Sequence, residues 1–157
     1  MSEQLEKPIL VAVDFSVHSE AAIDWAAEAA RRFGVPLIVL HVVHDPASAP
    51  GYYARSDPEG RPRLQEEVAE EMLAEFVRCA AERRPDLIDT ERLRTKLVVG
   101  LPASRIIEVA EMEGAGLIVV GSQGRTGLSH VLLGSKAERV AQLSPVPVTI
   151  VKRQGSN

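Results

Sequence analysis

Short β-branched apolar runs alternate along this chain with longer stretches in which apolar residues return every third or fourth position. The runs lie at 9–13 (ILVAV), 36–43 (PLIVLHVV), 92–99 (RLRTKLVV), 117–120 (LIVV) and 146–151 (VPVTIV), and each predicts a strand. Runs with no polar alternation are the signature of strands covered on both faces, which is the situation in a parallel sheet. The third run begins with polar and apolar residues in alternation, so a half-exposed edge position is expected there. Between the runs, Ala22, Trp25, Ala26, Ala29, Ala30 and Phe33 predict one amphipathic helix, opened by Ser16 as cap and stopped at Gly34. Leu64, Val68, Met72, Phe76 and Ala80 predict a second, with Glu66, Glu67, Glu70, Glu71 and Glu75 on a solvated face. Ile106, Val109 and Ala110 predict a third behind Pro102 at its first position, and Ala137, Val140, Ala141 and Ser144 a fourth. Five strands alternating with four helices make an α/β fold. We expect one Rossmann-like domain over residues 1–157, with a five-stranded parallel sheet in the order 3-2-1-4-5 and helices on both faces.

Residues 45–62 carry prolines and glycines without an apolar period and predict a long surface loop. It reads either as a plain linker or as a flap in which Tyr52 or Tyr53 offers a ring and Arg55, Arg61 or Arg63 a charge. Residues 152–157 read as a flexible tail. Composition narrows the class. With 157 residues, 45% hydrophobic and 25% charged, the chain has enough apolar material for one compact soluble domain. A net charge of -4 and a pI near 5.6 argue against a nucleic-acid or anionic-membrane surface. No apolar run approaches the ~18 residues of a membrane span, and the N-terminus lacks a leader pattern. A single cysteine, Cys79, read as a small buried or half-buried side chain, fits a reducing compartment, so a cytoplasmic location is expected.

The candidate chemistry sits in residues 121–140, GSQGRTGLSHVLLGSKAERV, which set a glycine-dense loop between a strand and a helix. Gly121, Gly124 and Gly127 fall every third residue, which suits positive φ or close approach to a ligand. Gly134 and Ser135 open the helix, whose free N–H groups and partial positive charge suit an anion, and Arg125 and Lys136 add charge. Neither the P-loop pattern nor the dinucleotide pattern is present. Asp14 ends the first strand, where open parallel sheets bind ligands; it can start the helix, bond a ribose or adenine edge, or help hold magnesium. His41, His44 and Asp45 lack a clear third metal ligand and read as a strand-end turn.

Gly121, Gly124, Gly134 and Ser135 together meet the spacing Gly-x2-Gly-x9-Gly-Ser, which resembles the nucleotide-binding signature of the universal stress protein family, in its ATP-binding branch. Residues 11–16, VAVDFS, look like that family's opening strand and turn, and residues 100–110, GLPASRIIEVA, like its third strand-to-helix passage. The resemblance implies that Ala12, Val13, Asp14 and Val42 contact adenosine, Val42 through its backbone, and that Val120 and Gly121 line its edge. It further implies that Gly124, Arg125, Gly134, Ser135, Lys136 and Ala137 surround the phosphates of ATP or another adenine nucleotide, with magnesium accompanying the nucleotide. The chain departs from the pattern at Ala12, where a rigid residue sometimes stands, and at Lys136, where a small apolar residue is frequent.

The function expected is that of an ATP-binding regulatory stress-response protein read by an unknown protein partner. For catalysis the chain offers only Asp14, with His130 as a distant candidate, so hydrolysis, if present, is expected to be slow. The alternatives are a slow ATPase using Asp14 and magnesium, and a sensor of AMP or cyclic AMP. A homodimer through the final strand, 146–151, is expected, as the resemblance also implies. Pro145 and Pro147 withhold donors from one edge of that strand, while Thr149 and Val151 leave the same edge able to pair with a second chain.

Overall fold

The computed structural model of the chain describes residues 6–47, 50–124 and 133–154. Its elements are β1 (Ile9–Ala12), α1 (Val17–Phe33), β2 (Leu37–Val43), α2 (Gln65–Arg83), β3 (Leu93–Val99), α3 (Pro102–Met112), β4 (Leu117–Gly121), α4 (Ser135–Leu143) and β5 (Val148–Val151). Every strand pair is parallel and the order is β3-β2-β1-β4-β5, as the alternation of runs and helices predicts.

Pleat alternation divides the core into two layers. Ile9, Val11, Val13, Leu37, Val39 and Val119 pack with α1 and α2 on one face. Leu10, Ala12, Ile38, Leu40, Val42, Ile118 and Val120 pack with α3 and α4 on the other. All seven residues of β2 are buried, which explains its unbroken apolar run. β3 stands at the sheet's edge and is half-exposed, as its polar beginning predicts. The chain leaves β1 towards β2 and later returns to place β4 on the other side of β1. The loops after β1 and β4 therefore diverge and open a crevice at the carboxyl ends of these strands.

Local signals set the helix ends. Ser16 caps α1 by accepting from the Ser19 N–H, and Gly34, at φ 68°, ends it with its own N–H on the Ala30 and Arg31 carbonyls. Inside α1 the buried stripe differs from the expected one. Trp25 and Phe33 are 41% and 47% exposed, whereas Ile23 and Ala27 join the alanines inside. A stripe of small residues lets the helix approach the sheet closely, and the large rings are left at its margins. In α2 a strict four-residue step drifts by about 40° per step against the helix period. Leu64 is accordingly exposed, and the inward stripe becomes Val68, Ala69, Leu73, Val77 and Ala80, with Met72 and Phe76 half-buried. On α4, Ala137 and Val140 are buried but Ala141 is exposed. Cys79 is also exposed, not buried. Local desolvation, followed by the neighbouring Glu75 carboxylate, holds its thiol above the ordinary range, so it is not an activated nucleophile.

The stretch expected to be a surface loop has an inward member. Tyr53 is fully buried against Val43, Val68 and Ala69, with Tyr52 edge-on to it at 5.0 Å. It is thus part of the core rather than a ring offered to a ligand. Farther on, the Asp57 carboxylate accepts from the backbone N–H groups of Glu59 and Arg61 and makes a tight turn, closed by a bridge between Ser56 and Pro62.

The final strand is shorter than expected, because the Ser144 hydroxyl takes both backbone groups of Val146 and Pro147 has no N–H to give. Its edges are also reversed from the expectation. Ile118 N–H donates to Pro147 O at 3.0 Å and Ser122 N–H to Val151 O at 2.9 Å, so residues 147, 149 and 151 face β4. The prolines fall on the inner edge, where Pro147 need only accept. Val148 and Ile150 address the outer edge, beyond which the described sheet has no further strand.

Candidate functional site

Asp14 follows β1 at the crevice. Its Oδ1 accepts from the Ser16 N–H at 3.1 Å and from the Ser19 hydroxyl at 2.8 Å, and that hydroxyl in turn accepts from the Asp14 N–H at 2.9 Å. Burial alone would raise the carboxyl pKa. The bonds from Ser16 and Ser19, and then the charge of Lys136, outweigh it and hold Asp14 below its ordinary value. The site therefore presents a fixed carboxylate anion at neutral pH.

A buried imidazole brackets this residue. His41 Nδ1 lies 2.7 Å from the carbonyl of Val13, just before Asp14, and its ring stacks at 4.2 Å on Phe15, just after it. Phe15 sits at φ 67°, a left-handed backbone that non-glycine residues adopt at a cost of about 1–3 kcal/mol, and only where surroundings enforce it.

Across the crevice, β4 ends at Gly121 and the chain runs on to Gly124. Neither glycine has a positive φ, contrary to one half of the expectation; both are required by space. A Cβ on Gly121 would meet the His18 carbonyl oxygen at 2.9 Å, and one on Gly124 would meet Asp14 Oδ2 at 2.9 Å. Gly134 N–H donates to Ser122 O at 2.7 Å, drawing the start of α4 back to the end of β4. A Cβ on Gly134 would lie 3.2 Å from Ser122 O and from the Gln123 Cα. The N-cap residue of α4 is Gly134, which has no side chain to cap it, and Ser135 and Lys136 in its first turn are exposed. Ala12, Val42, Val120 and Ala137 all belong to the α3/α4 layer of the core.

The structure thus brings Asp14, Gly124, Gly134 and Lys136 together where β1 and β4 end, with Gly121 closing β4, Ser135 exposed at the start of α4, and Ala12, Val42, Val120 and Ala137 in one core layer. Val13 is the exception, for its side chain points into the α1/α2 layer and its N–H donates to Leu40 O. Arg125, Gly127 and His130 lie outside the described residues. Two residues escaped the sequence reading: Ser19, although it stands three places after a cap serine, and His41, which read as part of a strand-end turn. Among the described residues no group of three or more His, Cys, Asp or Glu side chains could hold a metal ion. A magnesium here would find one protein carboxylate, Asp14, and would have to bring its other ligands with a phosphate group. A separate cavity of about 910 Å³ lies between α2 and β3 and is lined by Leu73, Val77, Leu93 and Leu97 together with Glu70 and Arg78. No helix of the described residues is long and apolar enough to cross a membrane.

The family model described as the universal stress protein family matches residues 6–152. A universal stress protein of Methanocaldococcus jannaschii is 34% identical over 151 residues, which cover 96% of this chain and 85% of that protein. The chain spans about half the length of several other curated relatives it matches. Among solved structures, a universal stress protein from Archaeoglobus fulgidus in complex with dAMP is similar with a TM-score of 0.63 and 27% identity, covering 94% of this chain and 99% of that one. A universal stress protein in complex with cAMP is similar with a TM-score of 0.62 and 26% identity, covering 92% of this chain and 95% of that one.

Proposed function

The chain belongs to the universal stress protein family, and from that premise we propose that it is a regulatory protein which holds an adenine nucleotide, ATP foremost, in the crevice between β1 and β4. The observation that carries this reading is the meeting of a fixed Asp14 carboxylate with three glycines at which a Cβ would meet atoms at 2.9–3.2 Å, beside the start of α4, whose cap residue Gly134 has no side chain. A carboxylate accepts the hydroxyls of a ribose, and unscreened N–H groups at a helix start take phosphate oxygens. Ala12, Val42 and Val120, on the neighbouring strands β1, β2 and β4 and in one apolar layer, suit the face of a purine. Similar structures carrying dAMP and cAMP support the adenine part of the reading.

Regulation fits the site better than rapid turnover. Asp14 Oδ1 is occupied by Ser16 and Ser19, and the imidazole of His41 that brackets the turn is engaged by the Val13 carbonyl and the Tyr53 hydroxyl. Magnesium, in this reading, arrives with the nucleotide. The active form is a homodimer in which the outer edges of two β5 strands pair antiparallel through Val148 and Ile150.

The experiment is mass spectrometry of the nucleotide retained through gentle purification, combined with a phosphate-release assay. An adenine nucleotide at one per chain with slow hydrolysis is expected. Turnover at the ~1–100 per second of kinases would replace the regulatory reading with an enzymatic one.

A further inference from the structure

His41 and Tyr53 are 1% and 0% exposed, yet both are polar. Buried polar groups are held by partners, and these two hold one another: His41 Nε2 lies 2.8 Å from the Tyr53 hydroxyl. Because the Val13 carbonyl can only accept, His41 Nδ1 carries a proton, and Nε2 is left to share the hydrogen bond with the Tyr53 hydroxyl. One side of the imidazole thus grips the backbone before Asp14 and stacks on the ring after it, while the other side grips a residue twelve positions further along the chain.

Tyr53 is the buried anchor of an ordered segment. Ala54 N–H donates to Gly51 O, Arg63 N–H donates to Arg55 O, and the Arg63 guanidinium pairs with the Glu71 carboxylate on α2. The strained Phe15 backbone makes the Asp14 turn dependent on what holds it, and the held groups lead through His41 to this segment.

We infer that His41 and Tyr53 are positioning residues that couple residues 50–63 to the Asp14 turn, so that nucleotide bound at the turn further stabilises the segment and the segment tunes nucleotide affinity. The inference rests on the nucleotide reading above. Reciprocity is required by linkage: if the segment changes affinity by some factor, the nucleotide changes the segment's equilibrium by the same factor.

The test uses the full chain and MgATP. Tyr53→Phe keeps the ring in its seat and removes the hydroxyl, while Tyr52→Phe changes the neighbouring ring and serves as control. Expected for Tyr53→Phe is MgATP binding weakened about five-fold or more, with loss of the nucleotide-dependent slowing of hydrogen exchange at the amides of Ala54, Gly60 and Arg63. Tyr52→Phe should keep both. Binding within about two-fold of the wild type, with an unchanged exchange response, would overturn the coupling. A wild-type chain that binds no adenine nucleotide removes the premise and the inference with it. A wild-type chain that binds while Tyr53→Phe matches it removes the inference alone. Should Tyr53→Phe not fold, the ring nitrogens of His41 in the wild-type chain decide by NMR. A ring protonated at Nδ1 whose Nε2 resonance moves on MgATP saturation supports the coupling, and an unmoved resonance overturns it.

Discussion

Gly124 leaves room for Asp14: a Cβ at position 124 would lie 2.9 Å from Asp14 Oδ2. The two residues are 110 positions apart in the sequence. They meet because β1 and β4 are neighbours in the sheet and both loops leave it at its carboxyl end. Asp14 Oδ1 is already fixed by Ser16 and Ser19, so the carboxylate cannot yield without breaking a bond.

Gly124→Ala should therefore separate binding from stability. Displacing Oδ2 of a carboxylate anchored through Oδ1 costs about 1 kcal/mol of folding stability, read as a small change of urea midpoint. MgATP affinity by calorimetric titration should fall by roughly ten-fold or more, because Asp14 and the loop both shift where ligand contact is proposed.

Gly121→Ala should behave differently. Its Cβ would strike backbone, the His18 carbonyl oxygen at 2.9 Å and carbon at 3.0 Å, and backbone in the first turn of α1 cannot swing aside. We expect a loss of about 2–3 kcal/mol in urea unfolding, larger than for Gly124→Ala.

The depressed pKa of Asp14 fixes a sign for pH dependence. A carboxyl whose folded pKa lies below its ordinary 3.8 stabilises the fold fully above that value, and the contribution is lost as pH falls through the folded pKa. Urea unfolding of the wild type and Asp14→Asn should show a constant gap above about pH 5 that closes below about pH 3.8.

The β5 edge predicts a contrast between adjacent prolines. Val148 N–H addresses the outer edge, so Val148→Pro should remove a donor from the proposed dimer ladder and leave the β4 ladder whole. Thr149 faces β4, and Thr149→Pro should destabilise the fold itself. Sedimentation equilibrium is expected to give a dimer for the wild type and a folded monomer for Val148→Pro. A wild-type monomer at micromolar concentration would contradict the dimer.

Much of this arrangement is legible in the sequence, for physical reasons. The strands declare themselves because burial on both faces forbids polar alternation, and Ser16 and Gly34 mark α1 because cap chemistry is local. Gly121, Gly124 and Gly134 stand out by spacing, although they are needed for room and not for positive φ. What stays hidden depends on distant neighbours. Alternation alone gives β5 two edges but does not tell which one meets β4. His41 reads as a polar interruption until the Val13 carbonyl and Tyr53 hydroxyl are found beside it, and Tyr53 hides in a segment of loop composition. Trp25 and Phe33 mislead because apolar character predicts a face, while closeness to the sheet selects the alanines.

The most direct test of the central claim, an adenine nucleotide in the β1/β4 crevice, is thermal melting of nucleotide-stripped protein with and without MgATP. At about 100 times the dissociation constant, binding adds about 2.7 kcal/mol, which for a chain of this size raises the midpoint by roughly 5–10 °C. That shift should be absent in a folded Gly124→Val variant. No shift of the wild type with MgATP, ADP, AMP or cyclic AMP would contradict the account.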